Sequence, residues 1–153
     1  MISRMMLTFA PRGRTLTLLG ALVLSGLAGA GCLRPPKQTY PVDQIQQIES
    51  LEEIMRVQAQ AMDPLFRKRS QTSFSPDELT QFGVAAQRLQ ATAATLRQKF
   101  AAKYKPSFVT YADALGQSAA DLATAATAAD PARTAAALGA IRDTCRGCHR
   151  DNR

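Results

Sequence analysis

Apolar residues recur every three or four positions along most of the chain after residue 41, which is the spacing of amphipathic helices. The best-marked helix starts at Ser75-Pro76-Asp77-Glu78, where serine suits the N-cap, proline the first turn and glutamate a capping box. Its stripe continues until the stop before Lys105-Pro106, through Leu79, Phe82, Ala86, Leu89, Ala93, Leu96 and Phe100.

Three further helices are predicted around this one. The first begins near Pro41, is ended or kinked at Asp63-Pro64, and has a stripe of Ile45, Ile48, Leu51, Met55 and Met62. The third restarts at Ser107 and presents Phe108, Tyr111, Leu115, Ala119 and Leu122. The fourth starts at Asp130-Pro131, an N-cap followed by a first-turn proline, and aligns Thr134, Leu138, Ile141, Cys145 and Cys148.

The connections between these helices are short, and no stretch of the sequence has the alternating pattern of a strand. We therefore predict an all-α fold, an antiparallel up-down-up-down four-helix bundle formed by residues 41–153 as one domain.

The first 31 residues are typical of an export signal. Arg4, Arg12 and Arg14 precede an uncharged, apolar run from Thr15 to Gly31 whose second half consists largely of small residues. A retained membrane anchor is the competing interpretation, but small residues suit a signal peptidase better than a bilayer. We expect residues 1–31 to be removed and residues 32–40 to form a tether.

Cys32 directly follows this run. It is one of three cysteines, and an odd cysteine in an exported chain needs an explanation. Its position resembles that of the lipid-modified cysteine of bacterial lipoproteins, which predicts a protein tethered to the periplasmic side of a bacterial membrane. The alternative is ordinary cleavage after Ala30, which would leave a free thiol on a protein of the soluble periplasm.

Charge and composition exclude several function classes. The formal charge of +7 falls to +4 without the three leader arginines, and most basic residues are dispersed, so no nucleic-acid partner is predicted. The mild positive charge is compatible with an acidic redox partner protein or anionic lipid. A single histidine leaves no evident acid–base pair, and no Gly-rich phosphate loop follows a strand, so we do not expect an enzyme.

The end of the chain carries the chemistry: Cys145-Arg146-Gly147-Cys148-His149. A C-x-x-C-H sequence is the attachment signature of c-type haem, in which two thiols bond the haem and the adjacent imidazole binds its iron. A zinc site would lack ligands, because Cys32 lies far away in the sequence. A thioredoxin-like redox pair would need a strand-to-helix turn, whereas the preceding residues are helical in period. The motif therefore predicts one covalent haem c on the C-terminal helix.

These residues resemble the class II c-type cytochromes, the cytochrome c-prime family, which are four-helix bundles with C-x-x-C-H near the C-terminus. The resemblance spans roughly residues 41–153. The family typically continues His-x-x-Tyr-Arg, and this chain has Asn152 and Arg153 at the last two positions. The resemblance implies that Arg153 lies close to the haem, and it leaves a homodimer open, since members commonly dimerise.

The sixth position on the iron separates electron transfer from gas binding. In the family it is approached from the first helix, by Met in low-spin electron carriers and often by Leu in five-coordinate members. The resemblance puts Met55 in the ligand position, and Met62 is the less favoured candidate. Leu51 facing the iron would instead leave the site open. The leading interpretation is an exported electron carrier. The alternatives are a five-coordinate haem protein that binds NO or CO, and a haem-free helical lipoprotein.

Overall fold

The computed structural model describes residues 40–152. Its helices are α1 (Leu51–Phe66), α2 (Pro76–Phe100), α3 (Pro106–Thr127) and α4 (Pro131–Asp151), with short 3₁₀ helices at Val42–Gln47 and Ala101–Lys103. No strand occurs between residues 40 and 152. The predicted leader lies outside the described residues, and so does the tether apart from Tyr40. The same holds for two predicted site residues, Cys32 and Arg153.

The predicted starts of α2 and α4 are confirmed. Ser75 Oγ accepts a hydrogen bond from the Glu78 backbone N–H, and Glu78 Oε2 accepts one from the Ser75 N–H at 2.8 Å, which completes the capping box. At α4, Asp130 Oδ1 accepts from the Arg133 N–H at 3.0 Å and Pro131 follows the cap. These local signals succeed because each cap satisfies backbone donors that the helix itself leaves unpaired.

The predicted first helix is wrong in its extent. The chain forms a 3₁₀ helix up to Gln47, becomes extended at Ile48, and restarts as α1 with Ser50 as the N-cap, whose side chain accepts from the Glu53 N–H. This cap breaks the expected stripe and changes the residues that reach the core. Ile54 and Val57 are fully buried, whereas Leu51 and Met55 are only partly buried. The helix also continues past Pro64 and ends at Phe66.

The four helices pack in chain order, and together they confirm the all-α four-helix bundle. Contact is most extensive between α2 and α3 and between α3 and α4, smaller between α1 and α2, and smallest between α4 and α1. The loosest seam of the bundle is therefore the one between its first and last helices.

Two groups of buried residues fill the interior. We call the larger one the main core cluster; it comprises Met62, Leu65, Phe82, Ala85, Ala86, Leu89, Ala93, Leu115, Ala119, Leu122, Ala126, Ala137, Leu138 and Ile141. The second core cluster consists of Ile45, Ile48, Ile54, Val57, Leu96, Phe100, Phe108 and Ala112. The 3₁₀ helix before α1 thus contributes to the second cluster through Ile45.

Candidate haem-attachment site

The C-x-x-C-H motif occupies the last turns of α4. Cys145 and Cys148 are free thiols, and both are partly buried. Cys145 packs against the main core cluster and Cys148 against the second core cluster. Residues three positions apart lie on the same face of a helix. The two thiols are therefore one turn apart on the face of α4 that contacts the core clusters.

The thiols are not activated as nucleophiles. Burial, and to a smaller extent the charges of Cys148 and Asp63, raises the pKa of Cys145 to about 11. Burial and then Asp151 raise the pKa of Cys148 as well. Both groups therefore remain protonated thiols at neutral pH while unmodified. Asp63 belongs to α1, which contacts α4 across the seam between the first and last helices.

The glycine inside the motif is buried against an aromatic ring of α3. A Cβ atom at Gly147 would lie 2.8 Å from Tyr111 Cε1 and 2.9 Å from its hydroxyl, closer than real Cβ contacts. The absence of a side chain at this position thus allows α3 to approach the haem motif directly.

Tyr111 is held in this place by the end of α4. Its hydroxyl donates a hydrogen bond of 2.5 Å to Asp151 Oδ2, while Arg150 Nε donates to Asp151 Oδ1 at 2.9 Å. The Tyr111 hydrogen bond is the main reason that the pKa of Asp151 is lowered, and the same contact raises the pKa of Tyr111. Lys105 Nζ also donates to the Asp151 backbone carbonyl at 3.3 Å.

Asn152, which stands where the family resemblance expects tyrosine, closes the helix. Its Nδ2 donates to the Cys148 carbonyl oxygen at 3.2 Å, and its Oδ1 accepts from Ser107 Oγ at 3.4 Å. The residues that hold the motif from α3, Tyr111 above all, were not identified as site residues from the sequence. The available signal was Gly147 itself, since a glycine in a helix interior costs stability unless a close approach needs it.

The methionines named from the sequence occupy different surroundings. Met55 is partly buried and packs, as Cys148 does, against the second core cluster. Leu51, one turn earlier, packs against the same cluster. Met62 is 2% exposed and belongs to the main core cluster, against which Cys145 packs. The fold therefore brings α1 and the motif to the same two clusters.

His149 is exposed on the last turn of α4. Between residues 40 and 152, no group of three or more His, Cys, Asp and Glu side chains is arranged to hold a metal ion. The motif side chains thus do not converge on one point as zinc ligands do. The donor set fits a haem instead, because two neighbouring thiols suit two thioether bonds and an exposed imidazole can turn towards an axial position.

Residues 103–153 match the family model described as Cytochrome C', a stretch that contains α3, α4 and the complete C-x-x-C-H motif. This match supports a class II c-type cytochrome of the cytochrome c' family. The cytochrome c' family consists of c-type haem proteins, so the match implies covalently bound haem c. No curated protein and no solved structure gave a significant match. Among the helices of residues 40–152, none is long and apolar enough to cross a membrane.

Proposed function

We propose that this protein is an exported carrier of single electrons, with one haem and no substrate turnover. Cys145 and Cys148 would hold the haem through thioether bonds, and His149 and Met55 would be its axial ligands. When bound, the haem iron supplies one-electron redox chemistry. The observation that supports this proposal is that Met55 of α1 and Cys148 of α4 pack against the same core cluster.

Met55 is favoured over Met62 by burial. Met62 is almost completely enclosed within the main core cluster, so withdrawing its side chain would leave a cavity. Met55 is only partly buried, and its flexible side chain is free to change rotamer at little cost to the core. The small contact area between α1 and α4 also leaves this seam able to accept a flat cofactor.

Binding of NO or CO is the second candidate function, and the position of Leu51 favours it. Leu51 packs against the same cluster as Met55, one helical turn away. An apolar side chain over the iron would leave the sixth position open to small ligands. In that case Met55 would serve only to fill space between α1 and the cluster.

Export and membrane attachment form part of the proposal. The leader-like residues 1–31 and the position of Cys32 support a lipid-tethered protein on the periplasmic side of a bacterial membrane. Cleavage after Ala30 would instead give a protein of the soluble periplasm. In that location, the protein would exchange electrons with redox partner proteins of the cell envelope.

Absorption spectra test the electron-carrier proposal. The holoprotein should be recorded oxidised and reduced, with and without CO. Sharp low-spin reduced bands, the weak far-red band of methionine ligation and no response to CO are expected. A broad high-spin reduced spectrum that shifts with CO would contradict Met55 ligation and establish the gas-binding alternative.

The attachment residues require a separate test. Haem staining after denaturing electrophoresis reports covalent bonds alone. We expect staining to persist in Cys145→Ala and Cys148→Ala, each of which keeps one thiol, and to vanish in the double variant. Staining of the double variant would contradict the assignment, and an unstained wild-type protein would support the haem-free alternative.

A further inference from the structure

Three arginines surround an open depression at the C-terminal end of α1. It has a volume of about 440 Å³ and is lined by Phe66, Arg67, Arg69, Ser70 and Arg142. We call it the arginine depression. Arg67 and Arg69 are exposed beyond the end of α1, and Arg142 reaches the depression from α4. Arginines that are far apart in the sequence therefore concentrate positive charge at one place.

The charge of the arginine depression is not neutralised locally. Lys68, which lies between the two α1 arginines in sequence, is paired with Glu78 at 2.5 Å. Within residues 40–152, no ion pair involves Arg67, Arg69 or Arg142. An anionic group could thus engage these guanidinium groups without displacing an existing carboxylate.

The arginine depression also borders the haem motif. Arg142 lies three residues before Cys145 on α4, so the two side chains share one helix face, one turn apart. Arg146, one turn beyond Arg142, is exposed as well. Two exposed acidic residues lie close to these arginines in the sequence, Asp63 on α1 and Asp143 next to Arg142. Asp63 contributes to the raised pKa of Cys145.

We propose that the arginine depression docks an acidic surface patch of a protein redox partner. This inference rests on the proposed electron-carrier function. Guanidinium groups bind carboxylates in a bidentate manner, and charge complementarity accelerates the encounter of two proteins more than it strengthens the complex. Electron-transfer encounters need only a small interface, which suits a compact patch beside Cys145.

Two other anionic occupants are less consistent with the arrangement. Membrane surfaces attract clusters of about four to eight basic residues. The arginine depression has three and is concave. The propionate groups of the haem itself are a second possible occupant. In that case the arginines would form part of the haem site. A propionate contact would therefore change the reduction potential, whereas a docking surface would change only the rate of the bimolecular reaction.

The experiment compares two triple variants that change net charge equally. The first, Arg67→Gln/Arg69→Gln/Arg142→Gln, removes the depression. The matched control, Arg88→Gln/Arg97→Gln/Arg133→Gln, removes arginines elsewhere on α2 and α4. The second-order rate of electron exchange between each holoprotein and an acidic flavodoxin is measured from low to high salt, together with the midpoint potential and the binding to phosphatidylglycerol vesicles.

We expect the depression variant to react about tenfold more slowly than wild type at low salt and to lose most of its salt dependence. The control variant should stay within about threefold of wild type, since isolated surface charges have small effects. Midpoint potentials should be equal in all three proteins.

Equal slowing of both variants would overturn the docking surface and leave the electron-carrier proposal intact. A shift in potential without a change in rate would assign the arginines to the propionates. Loss of vesicle binding without a change in rate would assign them to lipid. If the wild-type protein binds CO and exchanges no electrons with flavodoxin, the proposed function fails, and the docking surface with it.

Discussion

The ring of Tyr111 on α3 occupies the space that a side chain at position 147 of α4 would need. The distance from the Gly147 Cβ position to Tyr111 Cε1 is only 2.8 Å, and the hydroxyl of the same ring is fixed by Asp151. Gly147 and Asp151 are one turn apart, so the tyrosine spans the turn that contains Cys148 and His149. The bundle therefore supports its haem motif through a contact that only glycine permits.

Gly147→Ala is expected to destabilise the holoprotein by about 1–3 kcal/mol, because the new methyl group displaces the Tyr111 ring from Asp151. Gly139→Ala is the matched control on the same helix, since a Cβ at Gly139 meets nothing within 4 Å. It should stabilise the protein by about 0.5–1 kcal/mol through helix propensity. Denaturant unfolding measures both.

The cost of Gly147→Ala should shrink in a Tyr111→Leu background, where the shorter side chain leaves room for the methyl group. Equal effects of alanine at positions 139 and 147 would refute the close-contact explanation.

Met55→Leu is expected to convert the haem from a CO-insensitive to a CO-binding form, because the proposed sixth ligand is lost. Met62→Leu is the control. It should keep the wild-type spectrum and cost less than about 1.5 kcal/mol, as volume-conserving core exchanges do. CO difference spectra of the reduced proteins provide the measurement. A CO response in Met62→Leu alone would transfer the ligand to Met62.

Thr92→Val should destabilise the bundle by about 1–3 kcal/mol, because it leaves the buried Gln58 amide of α1 without its partner. In the native protein Gln58 Nε2 donates to Thr92 Oγ1 at 3.1 Å. Thr95→Val is the control, because Thr95 is equally buried but bonds only to the Ala91 carbonyl of its own helix. Thermal unfolding of the two variants should separate them, and a Thr95 cost as large as that of Thr92 would speak against an interhelical role.

Glu78→Gln tests the acid sensitivity of the α2 start. The hydrogen bonds from Lys68 and then the Ser75 N–H lower the pKa of Glu78 from 4.5 to about 2. A depressed carboxyl pKa contributes stability that is fully present above the unfolded value and is lost as the pH falls. The stability difference between wild type and Glu78→Gln should thus be greatest above pH 4.5 and disappear towards pH 2.

The Lys68→Gln variant should reduce this pH-dependent difference, since it removes the larger cause of the shift. Urea unfolding between about pH 2 and 7 measures the free energy of unfolding of wild type, Glu78→Gln and Lys68→Gln. A difference that did not vary with pH would show that the Lys68–Glu78 pair makes no net contribution to stability.

Cys32→Ser addresses the proposed lipid tether. The variant should move from the membrane fraction to the soluble periplasmic fraction, because a serine cannot receive the thioether-linked lipid. Fractionation followed by haem staining measures the change, with spectra of the released protein as the control for folding. Unchanged membrane association would contradict lipidation as the anchor.

The four-helix architecture and the haem motif were readable from the sequence because both depend on local chemistry. Ser75 and Asp130 mark helix starts by capping backbone groups a few residues away, and Cys145, Cys148 and His149 are defined by their spacing alone. The first helix was predicted less well. The apolar spacing continues across Ser50 and predicts one helix, whereas the Ser50 N-cap starts a new one. The break allows Ile45, before the cap, and Ile54, after it, to pack in the second core cluster.

Only the tertiary structure brought Tyr111 to Gly147, Met55 to the cluster beside Cys148, and Arg67 to the depression it shares with Arg142. These pairs lie on different helices and have no fixed spacing along the chain. Their distances depend on how tightly neighbouring helices pack. Periodicity identifies which face of a helix is buried, but the rotation and separation of two helices are decided by the side chains that meet between them.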